Sequence, residues 1–263
     1  MTNDKCLRIT FVNHATVLIQ LGGINIITDP IYSRTISYFL PRLKSPGIPF
    51  EELPKIDVVL ISHNHYDHLN LKTLRRLYKN FQPDIILPNG VAKYGKRTGY
   101  QSISEMKWWE EASFDSLKVT CVPAKHFSGR KPWDRNKSVF CGYIIQANGF
   151  TVYFAGDSGY SELFKKIGER FEIDVALLPI GAYRPRAWFK NIHMNPYEAV
   201  QAYLDVKAKH LIPIHWGTFK ISDEPMSEPP ILLRQAAEEH GVMELVHILE
   251  NGETFCWSNG ILD

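Results

Sequence analysis

The residues best equipped for chemistry stand together in Ser62-His63-Asn64-His65-Tyr66-Asp67-His68, three imidazoles and a carboxylate behind the apolar run Asp57 to Ile61. In an extended segment His63 and His65 point to one side, and a turn at Asp67-His68 places the next two side chains around a second ion about 3.5 to 4 Å away, the usual two-metal separation. Imidazole and carboxylate favour Zn²⁺ or a neighbouring first-row metal over Ca²⁺ or Mg²⁺. A polar loop with coincidental histidines is the plain alternative, and so dense a set of ligands directly behind a strand argues against it. Three further candidates follow strand-like runs: His126 after Val119 to Lys125, Asp157 after Thr151 to Ala155, and His215 after Leu211 to Ile214. Each alone reads equally well as a satisfied core or loop residue. Together they are what a sandwich would gather at one rim.

The elements that must do the gathering are legible as short β-branched and apolar runs separated by turn residues: Cys6 to Val12, Thr16 to Gln20, Ile24 to Thr28, Val58 to Ser62, Asp84 to Leu87, Leu117 to Val122, Phe140 to Gln146, Thr151 to Ala155, Val175 to Pro179, Leu211 to Ile214, and a final pair at Leu245 to Leu249 and Thr254 to Trp257. Between them Leu71, Leu74, Leu77 and Tyr78 recur at helical spacing behind a capping Asn70, and Asn195-Pro196-Tyr197-Glu198 has the form of a capping box with Pro at the first helical position. An Ile-Asp pair precedes a buried-type strand both at Ile56-Asp57 and at Ile173-Asp174, a faint echo that suits two related halves, each a sheet with helices outside.

At 263 residues and 44% hydrophobic content the chain can bury one large core, so a single domain over residues 1–263 is expected. A formal charge of +2 is too mild for a dedicated nucleic-acid binder. The start Met1-Thr2-Asn3-Asp4-Lys5-Cys6 is polar, and no run reaches the roughly 18 apolar residues of a membrane span, so a cytoplasmic protein is expected. Cys6, Cys121, Cys141 and Cys256 are scattered through strand-like runs and read as reduced packing residues.

With its ligand motifs in place, the sequence resembles the metallo-β-lactamase superfamily from about Phe11 to its end. Ile61 to Leu69, Gly181-Ala182-Tyr183-Arg184-Pro185-Arg186, Ile214-His215-Trp216-Gly217-Thr218-Phe219 and Asp29-Pro30 are similar to the N-acyl-phosphatidylethanolamine-hydrolysing phospholipase D group. The resemblance implies an α/β (α+β) fold, the αββα four-layer sandwich, with a dinuclear site: His63, His65 and His126 on the first metal, Asp67, His68 and His215 on the second, Asp157 bridging them. It implies a phosphodiesterase acting on a phospholipid-like or small phosphodiester, although bacterial relatives share the signature without a settled substrate and one branch hydrolyses sugar lactones. Two metals, Zn²⁺ with Mn²⁺ or Fe²⁺ as alternatives, lower the pKa of a bridging water, and Asp67 is expected both to bind the second metal and to aim that water.

The resemblance also places a functional histidine at His193, where imidazole suits leaving-group protonation or substrate binding; a solvent-facing loop residue is the alternative. His14, His210, His240 and His247 lack such context and read as structural or exposed. Cations and aromatics crowd the loops after the ligands, Arg130, Lys131, Trp133 and Arg135 in one, Tyr183, Arg184, Arg186, Trp188, Phe189 and Lys190 in the other. A solvated loop explains them plainly; near a metal rim, cations would hold a phosphate and aromatics an organic tail or base. The stretch Ile36 to Lys44 mixes large apolar residues with bases and reads as packing under a loop, an entrance flap or an edge touching a membrane surface. A homo-oligomer is compatible with everything in the sequence. The competing readings are a lactonase for a phosphorylated sugar and, outside enzymes, a metal-holding structural or sensor domain; nuclease and β-lactamase activity are weaker, for want of a basic insertion and of a secretory signal.

Overall fold

The computed structural model describes residues 6–37, 39–258 and 261–262; residues 1–5 of the polar start and Tyr38 lie outside them. Along the chain run β1 (Leu7–Asn13), β2 (Thr16–Leu21), β3 (Ile24–Thr28), the short β4 (Thr35–Ile36) and β5 (Leu40–Pro41), β6 (Val58–Leu60), α1 (Leu71–Phe81), β7 (Asp84–Pro88), α2 (Ala92–Thr98), β8 (Ile103–Met106), β9 (Glu111–Phe114) and β10 (Leu117–Pro123). There follow β11 (Cys141–Ala147), β12 (Phe150–Phe154), α3 (Leu163–Gly168), β13 (Val175–Pro179), α4 (Arg186–Phe189), α5 (Pro196–Val206), β14 (His210–Ile214), α6 (Glu228–Glu239), β15 (Thr254–Ser258) and β16 (Ile261–Leu262).

Eight strands form one sheet in the order β16-β15-β1-β2-β3-β6-β7-β8, and six form the other, β14-β13-β12-β11-β10-β9. Strand alternation makes the sandwich: Val58 and Leu60 of β6 face the shared core with Val119, Tyr143 and Phe154 of the second sheet, while Val59 and the following Ile61 face outward onto Leu74 and Leu77 of α1. On the far side Phe164, Val200, Tyr203 and Leu233 of α3, α5 and α6 cover the second sheet. The result is the expected αββα order. Helix α1 starts where Asn70 Oδ1 accepts from Thr73 N–H at 2.9 Å, and α5 carries the complete capping box of Asn195 and Glu198.

Topology aims the site. β1 and β3 are each antiparallel to β2, and β3 is parallel to β6; β10 and β12 are each antiparallel to β11, and β12, β13 and β14 are parallel. Within each sheet, therefore, the strands that precede His14, Asp29, His63, His126, Asp157 and His215 all run in one direction, and each delivers its residue just past its C-terminal end.

The structure departs from the sequence reading at Leu245 to Leu249, which is a 3₁₀ turn (Met243–Leu245) followed by irregular chain. Val246 bridges Leu211 alone and His247 N–H donates to Leu211 O at 2.8 Å. The next donor on that side of edge strand β14 would be residue 213, a proline without an N–H, so the ladder stops there. In the Ile36 to Lys44 stretch, Ile36 packs on Ile31 and Phe219 and Arg42 donates to Ile31 O and Ser33 O, whereas Phe39 and Leu43 are exposed. Among the described residues no helix is long and apolar enough to cross a membrane.

Candidate metal centre

Two groups of ligand atoms meet at the rim where the strands end. In the first, His63 Nε2 and His126 Nε2 lie 2.8 and 3.2 Å from His65 Nδ1, and 3.8 and 3.7 Å from Asp157 Oδ2. In the second, Asp67 Oδ2 lies 3.3 Å from His68 Nε2 and 3.4 Å from His215 Nε2, while Asp157 reaches His68 Nε2 through Oδ2 at 3.1 Å and His215 Nε2 through Oδ1 at 3.3 Å. Asp157 therefore stands between the two groups, with an oxygen toward each.

The partners behind these atoms fix which nitrogen faces inward. His126 Nδ1–H donates to Ile192 O at 2.8 Å, His63 Nδ1–H to Ser62 Oγ at 2.9 Å, and His68 Nδ1–H to Asp29 Oδ2 at 2.7 Å. Each turns its Nε2 toward the centre, the usual way an outer hydrogen bond orients a ligand imidazole. Asp29 also accepts from Ser62 N–H at 2.7 Å and Ser62 Oγ–H at 2.5 Å, so one buried carboxylate backs His63 and His68 together. Gly156, at φ +60, precedes Asp157; a Cβ there would sit 2.6 Å from Ser62 Cβ, so only glycine lets the carboxylate approach.

His68 Nε2, His215 Nε2 and Asp157 Oδ1 are buried yet have no partner of hydrogen-bond geometry among the described residues. Buried polar atoms normally find partners, and convergent imidazole nitrogens and carboxylate oxygens are the donor set of a first-row divalent cation. The residues fit two such ions.

Electrostatics divides the groups. Burial, aided by neighbouring imidazoles, holds His63 well below the ordinary histidine range; burial outweighs Asp157 at His126 and Asp67 at His65, pushing them to about 3 and about 4. These three are neutral and ready to donate lone pairs. Burial also opposes charge on His68 and His215, but Asp157, joined by Asp67 and at His68 by Asp29, overcomes it, raising His215 to about 9 and His68 well above its usual value. Burial likewise works against ionised Asp67 and Asp157, and the surrounding imidazoles outweigh it, keeping both carboxylates well below their ordinary range.

All seven residues anticipated as ligands are thus brought together. His193 joins them: it is buried, its Nδ1 lies 4.0 Å from Asp157 Oδ2 without a hydrogen-bond partner, and burial pushes its pKa to about 3. The alternative of a solvent-facing loop is therefore excluded for its side chain. His14, placed outside the site by the sequence reading, lies within it: its ring is buried, Nε2 is 3.0 Å from Asp67 Oδ2, and its backbone carbonyl accepts from His215 N–H at 2.7 Å. Its position just past a strand end was the available signal.

The cations expected to face substrate are differently employed. Arg130 donates to Asn64 O at 2.9 Å and Leu69 O at 2.8 Å and lies over Tyr66, bracing the ligand loop from behind. Arg184 pairs with Glu228 at 3.0 Å; Arg186 forks onto Glu198 at 2.7 and 2.8 Å and donates to His193 O at 3.0 Å. Tyr183 is buried, its hydroxyl donating to Glu228 at 2.5 Å. Glu198 of α5, read in the sequence only as part of a helix cap, and Glu228 of α6 take these side chains. Trp133 and Trp188 are 68% and 76% exposed.

Comparison with known proteins agrees with this geometry. Residues 24–216 match the family model described as a beta-lactamase superfamily domain. The chain is 36% identical over 234 residues to N-acyl-phosphatidylethanolamine-hydrolyzing phospholipase D 1 of Caenorhabditis elegans, covering 82% of this chain and 65% of the worm protein, and 31% identical to a metal-dependent hydrolase of Methanopyrus kandleri over 95% of this chain and 99% of that one. A metallo hydrolase from Ignicoccus hospitalis superimposes with a TM-score of 0.74 at 23% identity, covering 96% of this chain and 98% of that one, a likeness of fold.

Proposed function

Because the chain belongs to the metallo-β-lactamase superfamily, near the N-acyl-phosphatidylethanolamine-hydrolysing phospholipase D group, we propose that it is a metal-dependent phosphodiesterase holding two divalent ions, most readily Zn²⁺. The observation that carries the reading is the double convergence on Asp157: the neutral imidazoles of His63 and His126, grouped with His65, approach its Oδ2, and His68 and His215, grouped with Asp67, approach Oδ2 and Oδ1. His63, His65 and His126 would hold one ion, Asp67, His68 and His215 the other. Such a pair would supply an acidified water and a Lewis acid for an oxygen on the phosphorus under attack.

The chain's own groups do the rest. Asp67, held by His14 on one oxygen, would accept a hydrogen bond from the attacking water and so orient its lone pair toward phosphorus. His193 is neutral, the form that donates one N–H to the departing oxygen or a non-bridging oxygen without adding charge. Arg186 fixes its backbone, so the ring's place depends on the Glu198 pair as well. The phosphodiester is favoured over a lactone by the phospholipase relatives and by the cationic surface beside the ligand loop.

Purified protein of measured metal content, offered a chromogenic phosphodiester and a chromogenic lactone in parallel, tests this. Phosphodiester cleavage lost in His65→Ala supports it. Cleavage of the lactone alone overturns the phosphodiester reading, and two bound ions with no hydrolysis of either overturns the enzymatic one.

A further inference from the structure

Beside the ligand loop runs a groove of about 1010 Å³. Tyr66, between His65 and Asp67, forms part of its wall, so groove and metal centre share one loop. Seven cations line it against a single acid, Asp134, in a chain whose entire formal charge is +2; the rest of the chain is therefore net acidic, and positive charge is concentrated here. Asp134 is already engaged, accepting from the backbone N–H groups of Arg130 and Lys131 at 2.7 and 2.8 Å.

Apart from the bracing Arg130, these cations come from four separate segments: Arg34 from the chain just before β4, Lys72 from α1, Lys93 and Arg97 one helical turn apart on α2, Lys131 and Lys137 from the loop after His126. Among the described residues none of the six forms an ion pair, although paired cations are common elsewhere in the molecule, as at Lys118 with Glu111 and Lys209 with Asp174. Like charges brought together without acids repel, and a concave site focuses their field. Trp133 stands on the same wall, 68% exposed, with Lys131 Nζ 5.3 Å from its ring.

We propose that this groove binds a soluble anion carrying two or more phosphate groups, seated so that Trp133 covers an adjoining planar or apolar portion. One phosphate would be balanced by two of these cations, and the supply exceeds that severalfold, so the groove suits a multiply charged ligand over a single diester. The proposal does not require hydrolysis: if the ligand is a substrate it deepens the function above, and if it is an effector it stands beside it.

The test is calorimetric titration of the metal-loaded protein with tripolyphosphate and, separately, inorganic phosphate, in wild type, Lys93→Gln/Arg97→Gln and, as a control on another face, Lys165→Gln/Lys166→Gln. Binding of tripolyphosphate about tenfold weaker in the α2 variant, unchanged in the control, and falling with added salt is expected from the loss of two charge contacts. Equal affinity in wild type and the α2 variant overturns the proposal. A third arm uses sedimentation with phosphatidylcholine vesicles containing phosphatidylglycerol; groove-dependent vesicle binding without groove-dependent tripolyphosphate binding overturns the soluble occupant in favour of a lipid surface. Metal content and phosphodiester turnover, measured on the same samples, keep failure of this proposal separate from failure of the catalytic one.

Discussion

His14 and Asp67 are 53 residues apart in sequence and share a 3.0 Å hydrogen bond at the metal centre. Burial pushes His14 to about 3, so it is neutral and acts as a donor that holds Asp67 in place. Replacing it with alanine is expected to weaken metal binding at the Asp67, His68 and His215 group by about 10- to 100-fold, the usual effect of losing an outer-shell partner, with His14→Gln recovering part of it; competition against a chromogenic chelator measures both. A second prediction concerns protons. His215 and His68 have raised folded-state values, so in metal-free protein the stability they contribute is full below about pH 6.5, the unfolded value. It is lost as pH rises through about 9 for His215. Above about pH 7.5 His63, His65 and His126, all lowered, are neutral folded or unfolded and add nothing. Metal-free protein should therefore lose thermal stability from about pH 7.5 to 9, and metal binding at pH 7 should release protons, seen as a binding enthalpy that changes with the ionisation enthalpy of the buffer. A buffer-independent enthalpy would count against it.

At the level of elements, the seven candidate ligands were legible because each is either packed into one short motif or sits just past a strand, both local patterns. What local pattern cannot show is pairing between distant elements. Arg184 and Arg186 look like substrate cations until α5 and α6 place Glu198 and Glu228 against them, and α6 itself, opening on Glu228-Pro229-Pro230, gives a weak helical signal in sequence. The capping box at Asn195 was legible and has mechanical consequences, since α5 follows directly on His193. Asn195→Ala should cost about 1 kcal/mol of stability, read from denaturant unfolding, and should lower turnover more than it lowers metal content. Gly181 is more demanding still: a Cβ there would fall 2.2 Å from His215 O, so Gly181→Ala is expected to displace β14's ligand and to lose both stability and bound metal. Full metal occupancy in that variant would show that the loop can yield.

For the molecule as a whole, six strands from two sheets send a residue to one rim, and ions held by the proposed ligands would tie together segments from position 63 to position 215. Binding to the folded state alone raises stability, by about 4 kcal/mol at a thousandfold excess over the dissociation constant; chelation should accordingly lower the melting temperature measured by calorimetry, and re-addition of Zn²⁺ should restore it. The β-rich alternation with helices was legible in the sequence, and the four-layer sandwich followed from the family resemblance; in the structure Val58–Leu60 and Val175–Pro179, each behind an Ile-Asp pair, are parallel strands of their own sheets. The groove was not foreseeable, because its cations are spread over a hundred residues and meet only when α1, α2 and the loop after His126 come side by side.

Asp29 bears on how the two positions fill. Through Ser62 it orients His63, a ligand of one ion, and directly it orients His68, a ligand of the other. Whatever ordering the first ion imposes on that carboxylate is already in place when the second arrives, so occupancy should be positively cooperative: a stoichiometric titration would pass from empty to doubly filled protein with little singly filled species, and Asp29→Asn would let that half-filled species accumulate.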